Sequence, residues 1–320
     1  MKILIVGGAG YIGGYLTDVL GGSHDVTVYD NIMYETRYVK PVKFIHGDIR
    51  DINKLSTILS GYDTVIWLAA IVGDGACAIS PTLTKSINYA TVKWLTDNYT
   101  GKIIFMSTCS VYGINHDLID ELATPNPLSV YAETKLDAET YLTANHDNYL
   151  VFRLGTLFGL GDSYSRIRLD LVTNILTLKA VNKQPLSVFG GEQWRPLLHV
   201  KDVAHAIDYC LDNEITGLYN LSNDNYTIAG IAKQIQEIIP DTKVDYTDIS
   251  FEDMRNYKVS SDKIKKLGWN PIYDLSYGIK EIKALIEEKR IVNPNDIVYS
   301  NAAYVKRYVS EYNTNEYNQI

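Results

Sequence analysis

The chain has 320 residues, 46% of them hydrophobic and 21% charged, and a formal net charge of −8. That is the length of one large domain or two joined ones, with the composition of a soluble globular protein. It excludes nucleic-acid binding through a basic face, a membrane-spanning apolar stretch, and a metal site built on Cys77, Cys109 and Cys210, which lack ligand spacing.

The first apolar run, KILIV, follows Met1 directly and leaves no room for a signal peptide, so a cytoplasmic protein with reduced cysteines is expected. The run breaks into GGAGYIGG, with Gly7, Gly10 and Gly13 ahead of a helix over about 11–20. Glycines there permit a sharp turn and let a pyrophosphate approach the amides of Tyr11, Ile12 and their neighbours at the helix start. A second strand, DVTVYD, ends in Asp30 and is followed by Asn31. A carboxylate at that point can accept from both adenosine ribose hydroxyls and would repel a 2′-phosphate, which favours NAD over NADP.

VKFIHGD reads as the third strand, with Asp48 and Ile49 placed to bracket an adenine, and a helix follows near 52–59. DTVIWLAA is the fourth, and its small Ala69 and Ala70 would let a dinucleotide lie against the backbone. SPTLTKSINYATVKWLTDN reads as one helix, KIIFMSTCS as the fifth strand, VYAETKLDAETYLTAN as a helix and NYLVFRLG as the sixth strand. Such alternation predicts an α/β fold, a Rossmann doubly wound parallel sheet with ligands beyond the carboxyl ends of its strands. After Gly159 the pattern loosens into a helix near 169–181, a strand PLSVFG, and the helices KDVAHAIDYCLDN and TIAGIAKQIQEII. We expect residues 1–159 to form the NAD-binding domain and 160–292 a smaller, interleaved substrate domain. Residues 293–320 form a tail in which Tyr304, Tyr308 and Tyr312 recur at helical spacing. The stripe would lie on the protein's own core, with a dimer contact, a lid or a recruiting segment as alternatives.

In YAETK, Tyr131 and Lys135 share a helix face. An ammonium beside a phenol favours the phenolate, so Lys135 and a positive nicotinamide ring would draw Tyr131 toward the pKa of a general base. Lys135 can also bond the nicotinamide ribose. Ser107 and Thr108 end the fifth strand, which places Thr108 to hydrogen-bond a reacting hydroxyl and align it with Tyr131.

GGAGYIGG, Asp30, STCSVYG, YAETK, RLGTLFG and WRPLLHVKDVA occur in the order found in extended short-chain dehydrogenases/reductases, and the chain resembles their NAD-dependent sugar-nucleotide epimerase/dehydratase family up to about Glu288. The resemblance implies a C-terminal domain for the nucleoside diphosphate, Asn88 and Ser107 at the cofactor, and homodimers through the helices near 83–98 and 131–145. Dehydratases of the family carry an Asp-Glu pair after the active-site threonine. Here Cys109 and Ser110 stand in those places, so 4,6-dehydration is not expected. UDP-glucose 4-epimerases usually have a lysine where this chain has Val72. The IVGDGAC loop and SRIRLDLVTN segment resemble a subgroup acting on GDP-heptoses, which includes 4-dehydrogenases.

Arg195 and Arg255 match arginines that hold the diphosphate in the family. Guanidinium forks bind phosphate oxygens in pairs, which supports that role independently. Arg166 and Arg168 could reach the sugar or its phosphate, and Asp170 would orient an arginine or meet sugar hydroxyls. His199 reads as structural, Asp202 as a helix cap, and no histidine–carboxylate spacing indicates a metal. The expected enzyme is an NAD-dependent epimerase acting on a UDP- or GDP-linked sugar at C4. A dehydrogenase or ketoreductase is the alternative, and a non-catalytic dinucleotide sensor is disfavoured because Tyr131 and Lys135 are both present.

Overall fold

In the computed structural model, which describes residues 1–34, 37–162, 164, 166–247 and 255–311, the alternating strands close into one parallel sheet. The first five are β1 (Lys2–Val6), β2 (Asp25–Asp30), β3 (Lys43–His46), β4 (Thr64–Trp67) and β5 (Lys102–Thr108). β6 (Ile114–Ile119) leaves the sheet and β7 (Tyr149–Leu154) returns to it. After β8 (Thr156–Phe158), β9 (Leu186–Phe189) and β10 (Trp194–His199), β11 (Gly217–Leu221) rejoins it as the seventh strand. The order is β11-β7-β5-β4-β1-β2-β3, with every pairing parallel.

These strands are near-continuous apolar runs because both faces are covered. Successive side chains of β1 point opposite ways. Ile3 and Ile5 join a core with Leu16 and Leu20 of α1 (Gly13–Gly21), whereas Leu4 and Val6 join one with Leu55 and Leu59 of α2 (Ile52–Leu59). The helices that follow are α3 (Asp74–Ile79), α4 (Pro81–Lys85), α5 (Thr91–Asn98), α6 (Val130–Asn145), α7 (Val172–Val181) and α8 (Val200–Asp212). α8 packs on α1, so residues beyond 159 cover one face of the large sheet.

The single helix expected over 80–98 is instead α4 and α5 joined by a π-helical turn at Ser86–Ala90. Asn88 in that turn bonds both backbone groups of Ile71, accepting from its N–H at 2.8 Å and donating to its carbonyl at 2.9 Å. Asp202 does not cap α8. His199 does, accepting from the Lys201 N–H, while the buried Asp202 carboxylate accepts from Ile272 and Tyr273.

The second half adds β12 (Asp224–Thr227), α9 (Ile228–Ile238), β13 (Val244–Thr247), β14 (Asn256–Val259), α10 (Asp262–Lys265) and α11 (Leu275–Glu287). β12, β10 and β8 make a three-stranded sheet, and β13–β9 and β14–β6 pair separately. α7, α9 and α11 enclose another core around Phe158, Leu176, Ile231 and Ile279. The tail ends in α12 (Asn301–Glu311), which packs against α3. Its Val305 is fully buried beside Ile71, Ala76 and Cys77. Tyr304 and Tyr308 face inward as the stripe predicts, and Tyr312 lies outside the described residues. Among the described residues no helix is long and apolar enough to cross a membrane.

Candidate active site

The carboxyl ends of β1, β2, β4, β5 and β7 open on a cleft of about 1050 Å³. At its floor the chain turns sharply from β1 into α1. Gly7 has φ +82°, and a Cβ there would stand 2.5 Å from the Ala69 nitrogen, so only glycine lets the turn lie against the end of β4. A Cβ on Gly13 would fall 2.3 Å from the Gly8 carbonyl, which ties that glycine to packing of the turn. No side chain caps α1, and Gly10, Tyr11 and Ile12 at its start line the cleft. The helix therefore presents N–H groups and the positive end of its dipole to whatever enters. The Tyr11 hydroxyl itself turns away to the Gly159 carbonyl.

Asp30 lies at the cleft edge, accepting from the N–H groups of Ala9 at 3.0 Å and Ile32 at 2.7 Å. Burial raises its pKa, although these bonds oppose the rise. Asn31, Asp48, Ile49, Ala69, Ala70 and Ser107 also line the cleft. Asp48 is engaged by Arg50 through two bonds of 2.9 and 2.7 Å. Burial works against its charge, but Arg50 wins and holds the carboxyl below the ordinary range. Of the expected cofactor residues, Gly13 and Asn88 do not line the cleft. Gly13 is packed under Gly8, and the Asn88 side chain is spent on Ile71.

Thr108, Tyr131 and Lys135 all line the same cleft. Ser129 caps α6 by accepting from the Ala132 N–H, which starts the helix where Tyr131 projects inward. Burial dominates and pushes the Tyr131 phenol above its ordinary value, with Cys77 adding to the rise and Thr108 opposing it. Burial also draws Lys135 down to about 7, leaving a weaker neighbouring charge than a full ammonium. Its Nζ sits 4.0 Å above the Phe105 ring.

Across the cleft stand Arg166, Arg168, Asp170, Arg195 and Arg255. Arg168 grips Asp170 with bonds of 2.9 and 3.0 Å, so Asp170 does orient an arginine. Arg195 donates to the backbone carbonyls of Trp194 and Arg255. Arg255 joins Asp74 at 2.8 Å and donates to Ser110 at 3.2 Å, and Asp74 in turn accepts from Ser129 at 2.6 Å. Sequence reasoning did not single out Asp74, Ser129 or the tail residues Ser300 and Asn301, all of which line the cleft. A carboxylate just beyond a strand end, in the GDG of the fourth, was the available signal for Asp74.

His199 is buried, bonded to Glu281 at 2.8 Å, and structural as expected. Away from the cleft, folding brings His24, Asp208 and Asp212 together with ligand atoms within 4.8 Å of one another, a grouping that sequence spacing did not indicate. All three cysteines are free and buried.

A glycine turn facing a Thr–Tyr–Lys set across a seven-stranded parallel sheet marks an NAD-using enzyme of the short-chain dehydrogenase/reductase type. Residues 3–222 match the NAD dependent epimerase/dehydratase family, and the chain belongs to that family. It is 27% identical over 296 residues to UDP-glucuronic acid decarboxylase 4 of Arabidopsis thaliana, covering 87% of this chain and 67% of the relative. It is 26% identical over 302 residues to UDP-glucose 4-epimerase of Corynebacterium glutamicum, covering 85% and 91%. The structure of UDP-glucose 4-epimerase from Thermotoga maritima, determined with UDP-glucose, superposes with a TM-score of 0.79 at 26% identity, covering 90% of this chain and 99% of that one.

The cleft residues fit NAD. The uncapped start of α1 suits a pyrophosphate, and Asp30 retains acceptor capacity for ribose hydroxyls. Ser107 Oγ is buried without a protein partner, an orphan that a bound dinucleotide can satisfy.

Proposed function

We propose that this enzyme is an NAD-dependent epimerase of nucleotide sugars, oxidising the sugar at C4 and returning the hydride to the opposite face. The observation that carries the reading is that Thr108, Tyr131 and Lys135 line one cleft together with Arg166, Arg168, Arg195 and Arg255. Thr108 bonds the reacting hydroxyl and holds it against Tyr131. Tyr131 takes the hydroxyl proton as the C–H bond breaks, and gives it back when the carbonyl is reduced. Lys135 orients the cofactor ribose and adds positive charge in its protonated form. NAD, when bound, would supply the hydride acceptor and donor, and its positive ring would favour the Tyr131 phenolate that burial alone disfavours.

Arg195 and Arg255, with Arg168 and Arg166, are assigned to the diphosphate and sugar of a UDP- or GDP-linked substrate. Asp170 serves by holding Arg168. The positions after Thr108 support epimerisation over dehydration. Cys109 is buried and donates to the Arg153 carbonyl, and Ser110 is taken up by Arg255 and Tyr257, so neither supplies the acid–base pair that water loss requires. We place the enzyme in the cytoplasm as a homodimer joined through the adjoining helices of 81–98 and 130–145.

Proton NMR of the purified protein with UDP- and GDP-sugars, without added oxidant, tests the reaction. A second sugar nucleotide growing in to a fixed ratio supports the epimerase. A still spectrum that moves only when NAD is supplied in stoichiometric amount, with NADH appearing, establishes a net 4-dehydrogenase instead.

A further inference from the structure

The tail does more than cover core. Between residues 296 and 311 it touches the loops beyond three strands of the cofactor half. After β2, the Tyr34 ring lies 4.8 Å from that of Tyr304, and Met33 shares an apolar cluster with Val305. After β3, Arg50 donates to the Tyr308 hydroxyl at 3.2 Å while it holds Asp48. After β4, Asn301 Nδ2 donates to the Val72 carbonyl at 2.7 Å, and a Cβ on Gly75 would meet Ala302 at 3.7 Å. The Asn301 backbone N–H is also tied, to Asp170 at 2.8 Å.

Asn301 is 4% exposed and stands in the cleft wall. Its amide orientation is fixed by chemistry, because a carbonyl accepts only from the nitrogen. With Nδ2 on Val72, the Oδ1 atom is left buried with no partner in the protein. A buried amide oxygen costs free energy unless something donates to it. The sequence resemblance to the family ends near Glu288, so this acceptor is not one of the residues that the family motifs carry.

We propose that α12 completes the dinucleotide site: Asn301 Oδ1 accepts a hydrogen bond from bound NAD, and Tyr308 steadies the Asp48–Arg50 pair beside it. The assignment to the dinucleotide rather than the sugar follows from the Asn301 side chain, which is held by the loop after β4 while only its backbone N–H reaches the substrate-side Asp170, and it rests on the NAD-dependent reading above. The tail thereby sets how long the cofactor stays bound.

Full-length protein freed of nucleotide, titrated calorimetrically with NAD and separately with UDP-glucose, tests this. Asn301→Leu, which keeps bulk and removes the acceptor, should raise the Kd for NAD about tenfold, the equivalent of one buried hydrogen bond. Truncation after Asn293 should raise it further and leave the purified protein depleted of NAD, with turnover restored by adding NAD in excess. Tyr308→Phe should fold normally and raise the Kd by a smaller factor. Lys306→Ala, on the exposed side of α12, should change nothing. An unchanged NAD affinity in Asn301→Leu overturns the proposal, as does a loss confined to UDP-glucose. Failure of the unaltered protein to bind NAD would instead sink the functional reading on which it rests.

Discussion

The two walls of the cleft are built from different material. The cofactor wall is backbone and small side chains, namely Gly7, Gly10, Ala69 and Ala70, held by the ends of parallel strands. The opposite wall is charged side chains already engaged with one another, as in Arg168–Asp170 and Arg255–Asp74. Strand geometry shapes the first before any ligand arrives. If the guanidinium groups of the second take phosphate oxygens, as proposed above, they must first loosen these contacts, and part of the binding energy is spent on exchange.

Four changes test that contrast, and the largest effect belongs to the point where the walls meet. Tyr131→Phe should lower turnover by about 10²–10⁴-fold, the usual worth of a positioned acid–base group, with the NAD Kd unchanged. Equal turnover would remove Tyr131 from the chemistry. Arg195→Ala should raise the KM for the nucleotide sugar about thirtyfold, near 2 kcal/mol for a charge-assisted contact, with kcat much less affected. On the cofactor wall, Asp30→Ala should narrow the preference for NAD over NADP about tenfold, read from the ratio of their Kd values.

The last change is read in stability rather than in binding or turnover. Burial lowers Lys135 to about 7 in the folded protein from 10.5. Below pH 7 the folded state must hold a buried charge, and that penalty fades as pH rises toward 10.5. Lys135→Met should therefore raise the melting temperature of the nucleotide-free protein at pH 6, and the gap should close toward pH 10. A gap that widens with pH would mean that Lys135 is stabilised as an ammonium.

The same contrast explains what the sequence made legible. The glycine turn, Asp30, Thr108 and YAETK are local, because a strand end and the first turn of the next helix place their own side chains. Their cleft positions could be read from order and spacing alone. Asp74 with Arg255, and Asn301 with Val72, join residues far apart in the chain, and no local pattern announces such pairs. The tie of Asn88 to the backbone of Ile71, seventeen residues away, is of the same long-range kind. The sequence pattern does not announce β6, β11 or β13, and β8, β12 and β14, at three or four partly exposed residues each, carry too little alternation to register. Burial was the other blind spot. The sequence set Lys135 beside Tyr131 on one helix face, but gave no measure of how dry the pair would be.

The position of β11 bears on how the protein is made. It pairs with β7 along residues 150–154, yet it is translated more than sixty residues later. Throughout that interval the outer edge of β7 offers unpaired N–H and C=O groups, the kind of edge to which another chain can add a strand. A nascent chain emerging residue by residue carries this open seam until Leu221 has been synthesised. A fragment ending at residue 159 would never close it. The large sheet is sealed by the second half of the polypeptide, and until that half arrives the β7 edge stays open to strand addition.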